Sequence, residues 1–173
     1  MTSAGARAYG AGVPIHLERP APHPGVAVVT IDRPERANAL DPRALRELAA
    51  AWRAIAADGA IRCAVLTGAG DRVFCAGMDL ATTIPASQRL ARGETIDPDD
   101  FAGLREASTA VLSGFDLGVP LVVAVNGHCR AVGLDLLLAS ELRYAVPGAT
   151  FALEEVARGL YPTGNATVLL PRQ

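Results

Sequence analysis

Apolar positions along the chain change their spacing several times, and each change marks an element. Residues 13–18 (VPIHLE) and 26–32 (VAVVTID) are short runs rich in β-branched residues. The Pro- and Gly-containing link PAPHPG separates them, which predicts two strands in a hairpin-like opening. Asp41 before Pro42 is an N-cap followed by a first-turn proline. In the stretch ALRELAAAWRAIAAD that follows, Leu45, Leu48, Trp52 and Ile55 recur at helical spacing. The run CAVL at 63–66, closed by T-G-A-G, reads as a buried strand and a turn. Residues 81–100 show no sustained period and are expected to be irregular, and residues 101–117 to form one long helix. A second buried strand is expected at 119–125 (VPLVVAV) and a buried helix at 133–140 (GLDLLLAS). Short strands at 142–145 and 150–152 flank the turn VPGA. Buried strands alternating with helices predict an α/β fold with a mostly parallel sheet. The β-β-α order is visible at the start, but the halves share too little sequence to establish a repeat.

Composition narrows the function classes. With 173 residues, half of them hydrophobic, the chain buries enough surface for one domain. The small, polar residues 1–12 are expected to be disordered, which leaves 13–173 as the core domain. The net charge of −2, with both signs interspersed, gives no basic patch for nucleic acid. All 16 basic residues are arginine, so Schiff-base catalysis through a lysine amine is excluded. Cys63, Cys75 and Cys129 form no CxxC pair, which argues against a disulfide framework or a cysteine zinc site and fits a reducing, cytoplasmic setting. No run approaches membrane-spanning length, and the start lacks the apolar stretch of a signal peptide.

Several motifs are decoys. G-A-G-D-R-V lacks the third glycine of a dinucleotide loop. No G-x-S-x-G elbow supports a serine nucleophile. His16, His23 and His128 have no ligand spacing, so no metal site is expected.

Four segments carry a positive signal. They are Arg33-Pro34-Glu35-Arg36-Ala37-Asn38-Ala39-Leu40 and Phe74-Cys75-Ala76-Gly77-Met78-Asp79-Leu80, then Asn126-Gly127-His128-Cys129-Arg130-Ala131-Val132-Gly133-Leu134-Asp135, then Phe151-Ala152-Leu153-Glu154-Glu155-Val156 with Gly159-Leu160. In order and separation they resemble the crotonase (enoyl-CoA hydratase/isomerase) superfamily, whose versions read RP...NAL, F-x-A-G-x-D-L, NG-x-A-x-GGG-x-E and F-x-x-P-E-x-x-x-G-L. The resemblance covers the chain from Gly25 onward. It implies a crotonase-like spiral core of ββα units that binds an acyl-CoA thioester.

The resemblance also implies roles. Two backbone N–H groups, of Met78 and Val132, would hold the thioester oxygen and stabilise an enolate, a contribution of several kcal/mol in such sites. The apolar helix that follows would add its dipole. Ala37, Ala39 and Ala76, with Gly77, Asp79, Leu80 and Gly133, would contact the substrate or its coenzyme A. Asp135 and Glu155 would be the acid/base pair, two carboxylates whose pKa values an apolar site can drive apart. Glu154 is the neighbour most easily mistaken for Glu155.

Departures from the family pattern matter too. Ala131-Val132-Gly133 stands for Gly-Gly-Gly, and a β-branched residue enters positive φ only at a cost. Asp135 stands for a glutamate and is one methylene shorter. This looks like the dienoyl-CoA isomerases, except that Thr163 falls where their further aspartate stands. Family members continue past the equivalent of Leu170-Pro171-Arg172 into a helical segment that covers the acyl pocket and joins trimers, a segment expected to be absent here.

The reading is thus an acyl-CoA hydratase, a lyase of fatty-acid or related acyl-CoA metabolism, with isomerisation by Glu155 as the second chemistry. Coenzyme A is part of the substrate and no separate cofactor is implied. A homo-oligomer, a trimer or a multiple of one, is expected. The alternative is a family member that binds acyl-CoA or a partner without turnover.

Overall fold

β1 (Ile15–Glu18) and β2 (Val26–Ile31) pair antiparallel, with Ile15 opposite Ile31 and Glu18 opposite Val28. The structure, a computed structural model, describes residues 12–162 and 164–172. The expected disordered start therefore lies outside the described residues except for Gly12, as does Thr163. α1 (Pro42–Ala57) begins as its sequence predicts: the Asp41 carboxylate accepts the Ala44 N–H at 2.7 Å, a cap worth about 1 kcal/mol. Its apolar stripe, Leu45, Leu48, Trp52 and Ile55, is buried against the sheet.

Two sheets are wound together. β3 (Cys63–Gly68), β5 (Leu121–Val125) and β7 (Leu142–Ala145) extend the first in the order β1-β2-β3-β5-β7, every pair after β1-β2 being parallel. β4 (Val73–Cys75), β6 (His128–Arg130) and β8 (Phe151–Ala152) form a second, parallel sheet in the order β4-β6-β8. Each strand of the first sheet after β2 is thus followed by one of the second, which is the ββα spiral. The corner between β5 and β6 needs Gly127, where a Cβ would sit 2.2 Å from the Arg72 carbonyl. Asn126 ties the same corner down by donating to Gly70 O at 2.8 Å and accepting the Gly68 N–H at 3.2 Å.

The helices on the outside differ from the expectation. Residues 83–91 form α2 (Thr83–Ala91) within the stretch read as irregular. In place of one helix over 101–117 there are two, α3 (Pro98–Arg105), capped by Asp97, and α4 (Ala107–Ala110). Tertiary contacts explain the break. Gly103 presses so closely on α1 that a Cβ would lie 2.2 Å from Pro42 O, and the indole of Trp52 donates to the Ala110 carbonyl at 2.9 Å. Two residues later Leu112 takes φ 58° and ends the helical path. α5 (Val132–Leu138) is buried from Gly133 onward, and α6 (Ala166–Leu169) packs on it. By contrast β7, the edge of the first sheet, is exposed along its whole length. Among the described residues no helix is long and apolar enough to cross a membrane.

Candidate active site

Three turns, each leaving a strand, converge on one cavity. The turn after β2 is built by two side chains. Asn38, fully buried at φ 53°, accepts the Arg33 N–H at 2.9 Å and donates to Ala69 O and Val73 O at 3.0 and 2.7 Å. Arg33 reaches the Ala39 carbonyl, Asp41 at 2.9 Å and Asp79 at 3.3 Å, joining the first motif to the second. Asp79 is 3% exposed, so burial opposes its ionisation. The Ala81 N–H and the guanidinium groups of Arg33 and Arg36 outweigh that effect and hold the carboxyl below its usual range.

The second and third turns bring two amides side by side. Leu40 N–H donates to Gly77 O at 2.8 Å and Asp79 N–H to Leu40 O at 2.9 Å, a parallel bridge that turns the Met78 N–H away from Leu40. Gly77 takes φ 95°, and a Cβ there would lie 2.8 Å from Ala131 Cβ and 3.5 Å from Val132 N. The close approach and the positive φ both require glycine. Val132 is the first residue of α5, where an N–H has no helical acceptor. Among the described residues, neither the Met78 nor the Val132 N–H donates a hydrogen bond.

The positive φ expected to trouble Val132 falls on Ala131 instead, at φ 48° and ψ −121°. That conformation costs an alanine about 1–3 kcal/mol, and the surrounding contacts must hold it. Behind these turns Cys75 and Cys129 are register partners, and Gly133 packs between them. Burial pushes the Cys75 thiol up to about 12, against the Gly77 N–H bonded to it, and raises Cys129 as well, so both act as packing groups.

The two acids come from different elements. Asp135 on α5 is 3% exposed, its Oδ1 accepts the Ala166 N–H at 2.7 Å, and Gly164 lies against its carboxylate. Burial above all raises its pKa, the Ala166 N–H opposes the shift, and the charge of Glu155 adds to it. Glu155 is half-buried, and its Oε2 is enclosed without a hydrogen-bond partner among the described residues. Glu154 is exposed and lies 3.2 Å from the Arg130 guanidinium, so the structure separates the two neighbours.

A cavity of about 620 Å³ gathers these groups. Its wall includes Ala39, Ala76, Met78, Asp79, Leu80, Val132, Asp135 and Glu155. Of the residues expected at the site, Ala37, Gly77 and Gly133 shape the turns behind the wall and do not line it. Motif reading missed Arg36, Arg130, Arg158 and Tyr161, which also line it. Among the described residues no three His, Cys, Asp or Glu side chains are placed to hold a metal ion. An apolar cavity with two amides unpaired among the described residues, and with Asp135 of raised pKa and Glu155 among its carboxylates, suits proton transfer next to a carbonyl that gains negative charge.

The profile of one family, enoyl-CoA hydratase/isomerase, matches residues 22–173. The chain belongs to that family. Among its enoyl-CoA hydratase/isomerase relatives, the (E)-benzylidenesuccinyl-CoA hydratase of Thauera aromatica is 36% identical over 147 residues, covering 85% of this chain and 54% of the relative. The enoyl-CoA hydratase EchA19 of Mycobacterium tuberculosis is 37% identical over 146 residues, covering 84% and 52%. The crystal structure of an enoyl-CoA hydratase from Bacillus anthracis superposes with a TM-score of 0.77 at 28% identity, over 92% of this chain and 57% of that one. The chain spans about half the length of the curated relatives it matches.

Proposed function

We propose that the protein hydrates the double bond of an enoyl-CoA thioester through an enolate. One observation carries the reading: Asp135, with its pKa raised by burial, and Glu155 share a cavity with the amides of Met78 and Val132, and among the described residues neither Glu155 Oε2 nor those amides have a hydrogen-bond partner. In this reading the two amides hold the thioester oxygen as it gains charge. One carboxyl activates water and the other supplies a proton to the α-carbon. Ala39 and Ala76 leave room for the coenzyme A chain, and Asp79 fixes the Gly77 turn through Arg33 and Arg36. The chemistry is polar throughout, so coenzyme A enters as part of the substrate and no other cofactor takes part. The relatives' names, hydratases and dehydratases of CoA thioesters, support the same class. A cytoplasmic homo-oligomer remains part of the proposal. Exposed Leu142, Tyr144 and Val146 at the sheet edge support self-association.

A second reading, double-bond isomerisation with Glu155 as the shuttling base, is favoured by the Ala166 N–H already bound to Asp135. Product analysis with a small panel of enoyl- and dienoyl-CoA thioesters tests both. A 3-hydroxyacyl-CoA product supports hydration and a shifted double bond supports isomerisation. Tight binding of every thioester with no product would leave binding without turnover.

A further inference from the structure

The wall from Glu154 to Gly164 carries a cation to which neither hydration nor isomerisation gives a task. Among the described residues three arginines line the cavity. Arg36 lies 3.6 Å from Asp79, an acid it shares with Arg33, and Arg130 lies 3.2 Å from Glu154, so both are paired. Arg158 forms no ion pair and no side-chain hydrogen bond among the described residues. It ends the short 3-10 turn Val156–Arg158, and its N–H donates to Glu155 O at 2.9 Å. Side chains three apart in such a turn eclipse one another, so Arg158 rises on the same face as Glu155.

We infer that the acyl group of the substrate ends in a carboxylate and that Arg158 binds it, which makes the substrate class a short enoyl-CoA with a free acid at its far end. The inference rests on the acyl-CoA reading of the same cavity. The acyl chain is short because Arg158 follows Glu155 by one 3-10 turn and both line the same cavity. Arg130 pairs with Glu154 at 3.2 Å, which leaves Arg158 as the cavity arginine whose guanidinium has no acid partner among the described residues. Arg158 is exposed at the rim beside Tyr161, and an uncharged alkyl chain there would cover part of its hydration without offering an acceptor in return. A carboxylate replaces that water with paired, charge-assisted hydrogen bonds, for which the planar guanidinium is suited.

Calorimetry with saturated thioesters tests this without requiring turnover. Glutaryl-CoA and pentanoyl-CoA match in length and differ in the terminal carboxylate. The full chain should bind glutaryl-CoA about 10-fold or more tightly than pentanoyl-CoA. Arg158→Gln should erase that preference while leaving pentanoyl-CoA affinity unchanged or improved, and Arg158→Lys should keep part of it. Equal affinity for both thioesters in the wild type would overturn the inference. So would an equal loss of both in Arg158→Gln, which would assign Arg158 to the coenzyme A moiety they share. Hydration of glutaconyl-CoA and 2-pentenoyl-CoA, measured in parallel, separates the two claims. Absent turnover with the binding preference intact sinks the enzymatic reading alone. Turnover of both thioesters without any preference sinks the carboxylate alone.

Discussion

On the α5 side of the cavity, Asp135 stands in a helix whose neighbours are all buried, with the Ala166 N–H on one oxygen and Gly164 against the carboxylate. Glu155 instead begins a 3-10 turn with no buried residue, and its Oε2 is enclosed without a hydrogen-bond partner among the described residues. One wall is a packed core that happens to carry an acid, and the other is a lightly held turn that presents one. A group whose hydrogen bonds are already made is fixed in place, whereas an acceptor without a donor can take one from a ligand. If the two acids work as the proposed pair, the first is the one held in position and the second the one freer to exchange protons.

Substituting each acid in turn is the strongest way to break that comparison. Glu155→Gln should lower the rate about 10²–10⁴-fold, the usual contribution of a positioned acid or base, with thermal stability unchanged because no partner is lost. If the protein is a hydratase, Asp135→Asn should cost a similar factor; if Glu155 shuttles the proton alone, the loss at Asp135 should be much smaller. Steady-state rates on both variants decide it, and small, equal effects would show that other residues do the chemistry.

Gly164→Ala sharpens the packed wall. A Cβ there would lie 2.0 Å from Asp135 Oδ2, so either the carboxylate or the 164–166 segment must move. A displacement of that size should lower the rate roughly 10²-fold, while Glu155 and the affinity for free coenzyme A stay as they were. An unchanged rate would mean that the position of Asp135 is not critical.

The two walls should also differ in pH response. Burial raises the folded-state pKa of Asp135, so between the unfolded and folded values the native state holds a proton that the unfolded state has released. Stability from this group is full below the ordinary aspartate value of about 4 and declines as pH rises through the folded pKa, by at most about 1.4 kcal/mol per pH unit. Denaturant titrations of wild type and Asp135→Asn should diverge across that window, the variant lacking the decline. Parallel curves would show that Asp135 ionises in the native state as freely as in the unfolded chain.

The smallest expected effect is at the strained turn. Ala131→Gly should relieve the φ 48° conformation and stabilise the fold by about 1 kcal/mol, after the extra unfolded-state freedom of glycine is subtracted. Urea denaturation reads this directly, and a destabilised variant would show that the alanine methyl contributes more by packing than the strain costs.

Much of this was legible in the chain. The α1 stripe and its cap follow from Asp41-Pro42 and the spacing of Leu45, Leu48, Trp52 and Ile55, all local properties. β2, β3 and β5 announce themselves because one face of each is buried and the other half-covered, so both carry apolar residues and the run reads as a core strand without its partners. The four motif segments likewise pointed to the turns that meet at the cavity, since a close approach such as that at Gly77 demands a particular residue wherever it occurs.

Other features existed only once the chain had closed on itself. β4 and β6 are three residues each, VFC and HCR, with no period to detect; they are strands because they pair with each other. The interruption between α3 and α4 depends on Pro42 and Trp52, more than fifty residues upstream. Asp135 and Glu155 are both acids in the sequence, but that one has the Ala166 N–H on its carboxylate while the other is enclosed with no partner among the described residues is set by which segment folds over which. Arg158 carried no motif, and its meaning comes from the acids that Arg36 and Arg130 have and that it lacks among the described residues. Sequence determines which groups are available, through propensity and packing demands that act over a few residues. Protonation, strain and pairing depend on distances between segments remote in the chain, and only the tertiary structure fixes those.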